Sequence, residues 1–381
     1  MSTERHSYSF PTNIRFGAGV IDELGDYLKT HQLQKPLLVS DPVVAGLPFF
    51  KGIQSSLDRL GIPAVVFSSI HKNPVKEDVL AGGEVFVKEN CDVVIGIGGG
   101  AAMDVARAIV LRIHHHRDLF DYDDLIGGDV LITGPVPHFV TVPTTSGTGS
   151  EVGRSAIISE DQSKKKRILF HPKLLAQQVF ADPELTYGLP PAVTAATGMD
   201  ALTHNMEAYL AKNHHPMCDG IALEGIRLIS RSIREAVQKN TPESRANMMI
   251  ASLMGAVAFQ KGLGVVHSLA HPLSTLLDMH HGLANAINLP YGMRFNVEGF
   301  EDRFEAMGWA MRLADPSAKK VVDSLFELNH DLELPTRLSA AGVGVADLKP
   351  LSVLAEQDFA HPNNPKPVSR ADFLNLYKEA L

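Results

Sequence analysis

The stretch that decides the fold reads DVVIGIGGGA and covers residues 92–101. Its β-branched first half predicts a buried strand, and the helical pattern from Met103 to Ile113 follows the glycines directly. Glycines at such a junction let the backbone approach a phosphate group, while the helix N-terminus offers free N–H groups and a partial positive charge. A plain strand-to-helix glycine turn would look nearly the same, so the motif needs support from elsewhere in the chain.

Strands and helices alternate on both sides of this motif. Further strands are predicted at 36–41, 64–67 and 139–142, and further helices at 54–60 and 75–89. This alternation is typical of a parallel sheet covered on both faces. After Pro190-Pro191 the pattern changes to long amphipathic helices, beginning with 192–211, 217–238 and 242–260. We therefore predict an α/β domain over 1–186 and an all-α domain over 187–381.

Composition narrows the function classes. The 381 residues are 45% hydrophobic and 20% charged, which suits a globular protein of two domains. The net charge of −8 argues against a nucleic-acid partner. We see no apolar stretch long enough for a membrane span, no signal peptide and only two distant cysteines, Cys91 and Cys218. The expectation is a cytoplasmic protein with no membrane partner.

Two other polar turns follow predicted strands. Asp41 ends the first buried strand, where its carboxylate could hold a ribose hydroxyl, and PTTSGTGSE over residues 143–151 offers hydroxyls and bare amides. Each turn taken singly is better explained as a helix cap. Three such turns at the carboxyl ends of strands in one sheet favour a dinucleotide site.

Histidines and one aspartate form a second pattern, in the helical half. Asp200 and His204 lie four residues apart and can face one ion from the same side of a helix. His267 and His271 repeat that spacing, and the pair at 280–281 follows. Any single histidine here could be a satisfied core residue, but the group together favours a metal site. One carboxylate and three imidazoles without cysteine suit Fe(II), Zn(II), Mn(II) or Co(II).

These motifs in this order resemble the iron-containing (group III) alcohol dehydrogenases. The resemblance rests on GGG-x3-D at 98–104, PTT-x-GT at 143–148, GMDAL-x-H at 198–204, and H-x3-H at 267–271 with the His-Gly pair at 281–282. It implies a dinucleotide-binding α/β domain, a helical domain and one divalent metal between them. The implied cofactors are NAD and Fe(II), with Zn(II) as the alternative metal, and the implied reaction is hydride transfer between NAD(H) and a small primary alcohol or aldehyde.

The resemblance also assigns residues. It implies Asp200, His204, His267 and His281 as the metal ligands, with His281 preferred over His280 because the family's last ligand belongs to a His-Gly pair. It places His271 near the nicotinamide as a non-ligand that could relay a proton. The implied cofactor-binding positions are Asp41, Asn73, Gly98, Gly99, Gly100, Ala101, Asp104, Thr144, Thr145, Thr148 and Lys166.

The chain departs from the family pattern at four places. Ala101 replaces a usual serine in the glycine turn, which removes one possible phosphate-binding hydroxyl. Ala258, the pair Gln260-Lys261 and His280 replace other usual residues and are expected to reshape the substrate pocket. Two interpretations of Lys261 are open: a solvated lysine that caps the preceding helix, or an ammonium at the pocket that attracts an aldehyde with an anionic group.

Rival functions are a non-redox enzyme of the dehydroquinate synthase type, which also uses NAD and a metal, and a binding or metal-storage module without catalysis. The GMDAL-x-H segment disfavours the first rival, and the combination of a nucleotide site with a metal site disfavours the second. We expect a homodimer or a larger homo-oligomer.

Overall fold

The computed structural model describes Phe10, residues 12–160 and residues 166–381, which divide into two compact units. The α/β unit comprises 12–145 and 149–187, and the helical unit comprises Phe10, 146–148 and 188–381. The main division therefore falls between Tyr187 and Gly188, and the short segment 146–148 groups with the helical unit although it lies within the α/β half of the sequence.

Six parallel strands form the sheet of the α/β unit. Their order is β1-β8-β5-β4-β2-β3, and a separate antiparallel hairpin pairs β6 with β7. The strands are β1 (Asn13–Phe16), β2 (Pro36–Val39), β3 (Val65–Phe67), β4 (Val93–Gly98), β5 (His138–Pro143), β6 (Ser155–Ser159), β7 (Lys166–Phe170) and β8 (Gln178–Ala181). The predicted parallel sheet is confirmed, whereas β1, β8 and the hairpin were not predicted.

Apolar side chains bury both faces of the central strands. Every residue of β2 and β4 is buried, because one cluster that includes Leu37, Val94 and Ile109 covers one face and a cluster that includes Leu38, Ile95 and Phe180 covers the other. The helices of this unit are α1 (Leu24–Thr30), α2 (Pro42–Ala45), α3 (Pro48–Arg59), α4 (Lys76–Lys88) and α5 (Gly100–Arg112).

The helical unit packs nine described helices around one core. They are α6 (Pro191–Leu210), α7 (Pro216–Gln238), α8 (Pro242–Ala258), α9 (Val265–Leu277), α10 (His281–Asn296), α11 (Glu301–Ala310), α12 (Ala318–Asp331), α13 (Leu348–Glu356) and α14 (Arg370–Ala380). The central helix α6 contacts α7, α8 and α10. Its residues are buried from Thr194 onwards except Thr197, so polar side chains within it require partners inside the protein.

Among the described residues, no single helix has both the length and the apolar character needed to cross a membrane. One pair, Pro242–Lys261 with Val265–Leu277, passes this test together on length and composition alone and is bent by 108°.

Candidate functional site: a four-residue metal cluster and a nucleotide-type glycine turn

Three helices bring the predicted metal ligands together. Helix α6 carries Asp200 and His204 one turn apart, α9 carries His267, and α10 begins at His281. The ligand atoms of Asp200, His267 and His281 all lie within 4.8 Å of one another. Nε2 of His204 lies 3.9 Å from Oδ1 of Asp200, and the His204 and His267 rings stack with centroids 4.7 Å apart. The four side chains thus converge from positions up to 81 residues apart in sequence.

A glycine explains why His281 reaches this cluster. A Cβ at Gly282 would lie 2.3 Å from the backbone oxygen of Ala196, so only glycine lets the start of α10 approach α6 so closely. Nε2 of His281 lies 3.6 Å from Oδ1 of Asp200 as a result. The neighbouring His280 is exposed and is the N-cap residue of α10, outside the cluster.

Glu207, one turn after His204 on α6, fixes the ring of His267. Its buried carboxylate accepts hydrogen bonds from Nδ1 of His267 at 2.5 Å, from the amide of Val266 at 2.7 Å and from the amide of His267 at 3.3 Å. With the Nδ1 hydrogen donated to Glu207, the lone pair of Nε2 faces the cluster. A carboxylate behind a histidine ligand is a common way to orient it and raise its basicity.

Asn285 lies at the centre of the donor set. Its Nδ2 donates to Oδ1 of Asp200 at 2.7 Å and is 3.3 Å from Nε2 of His267 and 3.2 Å from Nε2 of His281. Three acceptor atoms therefore point at one amino group that has only two hydrogens. Such a concentration of lone pairs fits a divalent cation, and one carboxylate with three imidazoles is a donor set suited to iron or zinc.

The pKa values of two cluster histidines are shifted in opposite directions by their surroundings. Desolvation lowers the pKa of His204 to about 4, so its ring is neutral and can offer a lone pair at neutral pH. For His267 desolvation also favours the neutral ring, but the hydrogen bond and charge of Glu207 outweigh it and the pKa is raised. The site around His267 therefore favours a positive charge, whether a proton or a metal ion supplies it.

His271 lies beside the cluster and is oriented by a different carboxylate. Its Nδ1 and Oδ2 of Asp358 are 2.7 Å apart, and Oδ1 of Asp358 accepts from Ser268 at 2.7 Å and from the amide of Ala360 at 3.0 Å. The His271 ring stacks on His281, with centroids 5.3 Å apart and planes 13° apart. This arrangement leaves Nε2 of His271 as the ring atom able to exchange a proton.

The glycine turn of the α/β unit has a backbone conformation that requires glycine at residue 98. Gly98 has a φ of +153°, and a Cβ there would lie 2.7 Å from Cβ of Ala102, so any other residue would be strained. The amide of Thr144 donates to the Gly98 oxygen at 3.0 Å, and a Cβ on Gly99 would lie 3.4 Å from Oγ1 of Thr145. The turns after β4 and β5 thus meet at the N-terminus of α5.

The two carboxylate oxygens of Asp41 have different surroundings. Its Oδ1 caps α2 by accepting from the amides of Val43 and Val44, both at 2.9 Å. Its Oδ2 is directed at the glycine turn, where a Cβ on Gly98 would lie 3.6 Å away. One oxygen therefore serves the helix cap while the other faces the turn.

Two of the remaining predicted cofactor residues, Asn73 and Lys166, lie on connected parts of the α/β unit. Asn73 directly precedes Pro74, whose oxygen accepts from the amide of Ser159 at 2.7 Å, and Ser159 pairs with Lys166 across the β6–β7 hairpin. Asn73 and Lys166 thus belong to one connected segment of the α/β unit. Thr148 belongs to the segment that groups with the helical unit.

Asp104, a further predicted cofactor residue, accepts hydrogen bonds within the α/β unit. Its Oδ1 accepts from Oγ of Ser150 at 2.9 Å and its Oδ2 from the amide of Ile157 at 3.2 Å. Burial raises the pKa of this carboxyl to about 6 despite the nearby Arg107 guanidinium. Both oxygens of Asp104 therefore have protein groups as partners.

Lys261 is neither the solvated helix cap nor the free pocket ammonium that the sequence suggested. Its side chain is 2% exposed, and Nζ donates to Oδ1 of Asp219 at 2.5 Å and to the Tyr209 oxygen near the end of α6 at 2.8 Å. The lysine is neither solvated nor a free cation, because a buried ammonium needs a partner and finds Asp219. Ala258 is likewise fully buried in the helical core.

Comparisons with known proteins agree across both halves of the chain. Residues 11–183 match the model for iron-containing alcohol dehydrogenase, and residues 194–381 match the C-terminal model of the Fe-containing alcohol dehydrogenase family. The chain is 36% identical to the 1,3-propanediol dehydrogenase of Citrobacter freundii, with all of both chains covered. It belongs to the iron-containing alcohol dehydrogenase family.

Other members of the iron-containing alcohol dehydrogenase family extend this agreement. The 4-hydroxybutyrate dehydrogenase of Cupriavidus necator is 36% identical over 97% of this chain and 98% of its own. The crystal structure of a 1,3-propanediol oxidoreductase matches with a TM-score of 0.94 at 32% identity, covering 99% of this chain and 100% of that one. The predicted fold, the predicted metal- and NAD-linked alcohol dehydrogenase class and iron as the family's metal are thereby confirmed, and the non-redox alternative is disfavoured.

Three polar residues of this iron-containing alcohol dehydrogenase were not predicted from its sequence: Glu207, Asn285 and Asp358. Two of them had a sequence signal. Glu207 extends the Asp200 and His204 face of α6 by one turn, and Asn285 lies one helical turn after His281, whose Nε2 is 3.2 Å from the Asn285 Nδ2. Asp358 contacts His271 from 87 positions away, a distance over which spacing carries no information.

Proposed function

We propose that this iron-containing alcohol dehydrogenase binds its metal through Asp200, His204, His267 and His281 and interconverts a small primary alcohol and its aldehyde. The convergence of these four side chains carries the proposal, since three rings and one carboxylate approach one another closely and all but His281 are buried. When bound, the divalent metal supplies Lewis acidity that lowers the pKa of an alcohol, and NAD supplies the hydride acceptor.

The chain's own residues prepare the site for this reaction. Glu207 holds the His267 ring so that Nε2 faces the cluster. We propose that His271, held at Nδ1 by Asp358, accepts the hydroxyl proton at Nε2 during oxidation and returns it during reduction. Asp358 keeps that ring in one tautomer, which a proton relay at a defined atom requires.

The α/β unit supplies the candidate cofactor contacts. We propose that the turn from Gly98 to Ala101, with Thr144 and Thr145, holds the pyrophosphate at the N-terminus of α5. Oδ2 of Asp41 is placed to accept from a ribose hydroxyl, which favours NAD over NADP because a 2′-phosphate would be repelled by the carboxylate. Asn73, Thr148 and Lys166 are proposed as further contacts on the resemblance to the family.

For the substrate we propose a short uncharged primary alcohol, such as a diol, in preference to a hydroxy acid. Relatives named for each type, 1,3-propanediol and 4-hydroxybutyrate, are equally similar to this chain. The pairing of Lys261 with Asp219 favours the uncharged substrate, because it consumes the ammonium that could have attracted a carboxylate.

The test is steady-state NADH formation by the Fe(II)-loaded enzyme with 1,3-propanediol, 1-propanol and 4-hydroxybutyrate. We expect larger kcat/KM values for the two uncharged alcohols and an unchanged ratio among substrates in Lys261→Met. A loss of 4-hydroxybutyrate oxidation confined to Lys261→Met would contradict the substrate proposal. No NADH with any alcohol would contradict the proposed function itself. A cytoplasmic location and a homo-oligomeric state remain predictions.

A further inference from the structure

Arg107 is a fully buried arginine on the helix that begins at the glycine turn. Its Nη1 donates to Oγ of Ser150 at 2.9 Å and to the oxygen of Ser155 at 2.8 Å, and its Nη2 donates to the oxygen of Ser150. Its Nε donates to the oxygen of Leu174 at 3.2 Å. Burying a guanidinium is costly unless acceptors of this kind surround it, so the oxygens of Ser150, Ser155 and Leu174 offset the cost of burying Arg107.

Asp104 completes the cluster from the preceding turn of α5. Oγ of Ser150 donates to Oδ1 of Asp104 at 2.9 Å while it accepts from Arg107, and the Arg107 Nη1 lies 3.4 Å from the same carboxylate oxygen. One helix therefore holds Ser150 through both its hydroxyl and its carbonyl.

The segment 144–150, which carries the predicted Thr144, Thr145 and Thr148, is thus fixed at both ends. At its start the amide of Thr144 donates to the Gly98 oxygen in the glycine turn at 3.0 Å. At its end Ser150 is held by Asp104 and Arg107. Both anchors lie on consecutive elements, β4 with its turn and α5, which therefore hold the two ends of segment 144–150, here called the hydroxyl loop.

We infer that Arg107 and Asp104 are positioning residues for the dinucleotide, acting through Ser150 to hold the hydroxyl loop in its binding geometry before the cofactor arrives. The inference rests on the proposed assignment of NAD to these turns. Groups that are already ordered do not lose conformational freedom on binding, so a prepared loop binds more tightly than one that must be ordered.

A purely structural role makes a different prediction. Arg107 also contacts Ser155 at the start of β6, so it could serve only to anchor the β6–β7 hairpin. In that case substitutions would lower the melting temperature and leave the affinity of the folded protein for NADH unchanged. A positioning role lowers the affinity for NADH and leaves the metal content and the KM of the alcohol unchanged.

The experiment compares Arg107→Lys and Ser150→Ala with wild type and with the matched control Arg112→Lys. Arg112 ends the same helix, where it donates to the oxygen of His115 at 3.1 Å. The dissociation constant of NADH is measured by fluorescence titration, alongside metal content, the KM of the alcohol and Tm. We expect roughly tenfold weaker NADH binding in Arg107→Lys, because a single ammonium cannot replace the fork of donors that reaches both the hydroxyl and the carbonyl of Ser150. A smaller loss is expected in Ser150→Ala, because that variant keeps the bond from Arg107 to the carbonyl of residue 150.

The outcomes separate the two proposals. Wild type that does not bind NADH refutes the assignment of the cofactor to these turns. Wild type that binds NADH, together with an Arg107→Lys protein of equal affinity, overturns only the positioning role. If Arg107→Lys does not fold, Ser150→Ala decides, and an unchanged dissociation constant there overturns the inference. An equal loss in Arg112→Lys overturns it as well.

Discussion

Replacing Glu207 with glutamine should separate the orientation of a metal ligand from the ligand itself. The carboxylate accepts three hydrogen bonds from Val266 and His267 and is buried. A glutamine amide has one oxygen and one amino group, so one side of the side chain must present hydrogens to existing N–H donors. Either a buried donor loses its acceptor or the His267 ring moves its hydrogen to Nε2, the atom that faces Asp200 and Asn285.

The magnitude follows from that lost contact. A hydrogen bond to a charged group contributes about 1.5–3 kcal/mol, and each 1.4 kcal/mol or so corresponds to a factor of ten in affinity. The expected weakening of metal binding is therefore about 10–100-fold, which agrees with the usual cost of removing the partner behind a histidine ligand. Because His267 itself remains, binding should be weakened and not abolished.

The assay is titration of the metal-free protein with Fe(II) under anaerobic conditions and with Zn(II), followed by metal analysis after dialysis. Glu84→Gln serves as the control, since Glu84 is an exposed residue on α4 and the substitution removes the same charge. NADH affinity is measured in parallel to show that the α/β unit is intact. A folded Glu207→Gln protein that binds metal within twofold of wild type would refute the orienting role.

Other substitutions test the remaining assignments. His267→Ala should lose most bound metal and lower kcat by orders of magnitude with NADH affinity retained, whereas His280→Ala should keep its metal in the same metal analysis. Asp41→Gly should narrow the preference for NAD over NADP, and a wild type that uses both cofactors equally would show that Asp41 is only a helix cap. Burial raises the pKa of the Glu151 carboxyl to about 7 in the folded protein, above its value of about 4.5 in the unfolded chain. The folded state therefore binds this proton more tightly, and the free energy of unfolding falls as the pH rises from about 4.5 through 7. Thermal melts should therefore show Glu151→Gln gaining Tm relative to wild type at pH 8 and not at pH 5; an equal change at both values would contradict this.

Local sequence patterns predicted the fold class, because the buried face of a helix or strand makes apolar residues recur with the period of that element. The continuous apolar run at Val93–Gly98 and the long amphipathic segments after Pro190 each reflect a face that must leave water. The hairpin β6–β7 was missed because its strands are only five residues long and mix polar with apolar residues, as in SAIIS, although Ala156 and Ile158 are buried in the core.

The candidate ligands were predictable to the extent that they share a helix turn. Asp200 and His204 are four residues apart, and the geometry of a helix makes such a pair face one side whatever surrounds it. The prediction of His281 rather than His280 as a ligand depended on the resemblance to the family. The structure shows the physical reason for it, because Gly282 lets the start of α10, and with it His281, approach α6 closely.

What the sequence alone determined was therefore the local elements, the chemical types at the cluster and the family to which they point. Only the tertiary structure decided that Glu207 orients His267, that Asp358 orients His271 and that Lys261 is paired with Asp219. The physical reason is that burial leaves each of these charged or polar groups without water, so its partner is whichever group the packing of the helices brings within hydrogen-bond distance. Those partners lie between 42 and 87 residues away along the chain, where no local periodicity connects them.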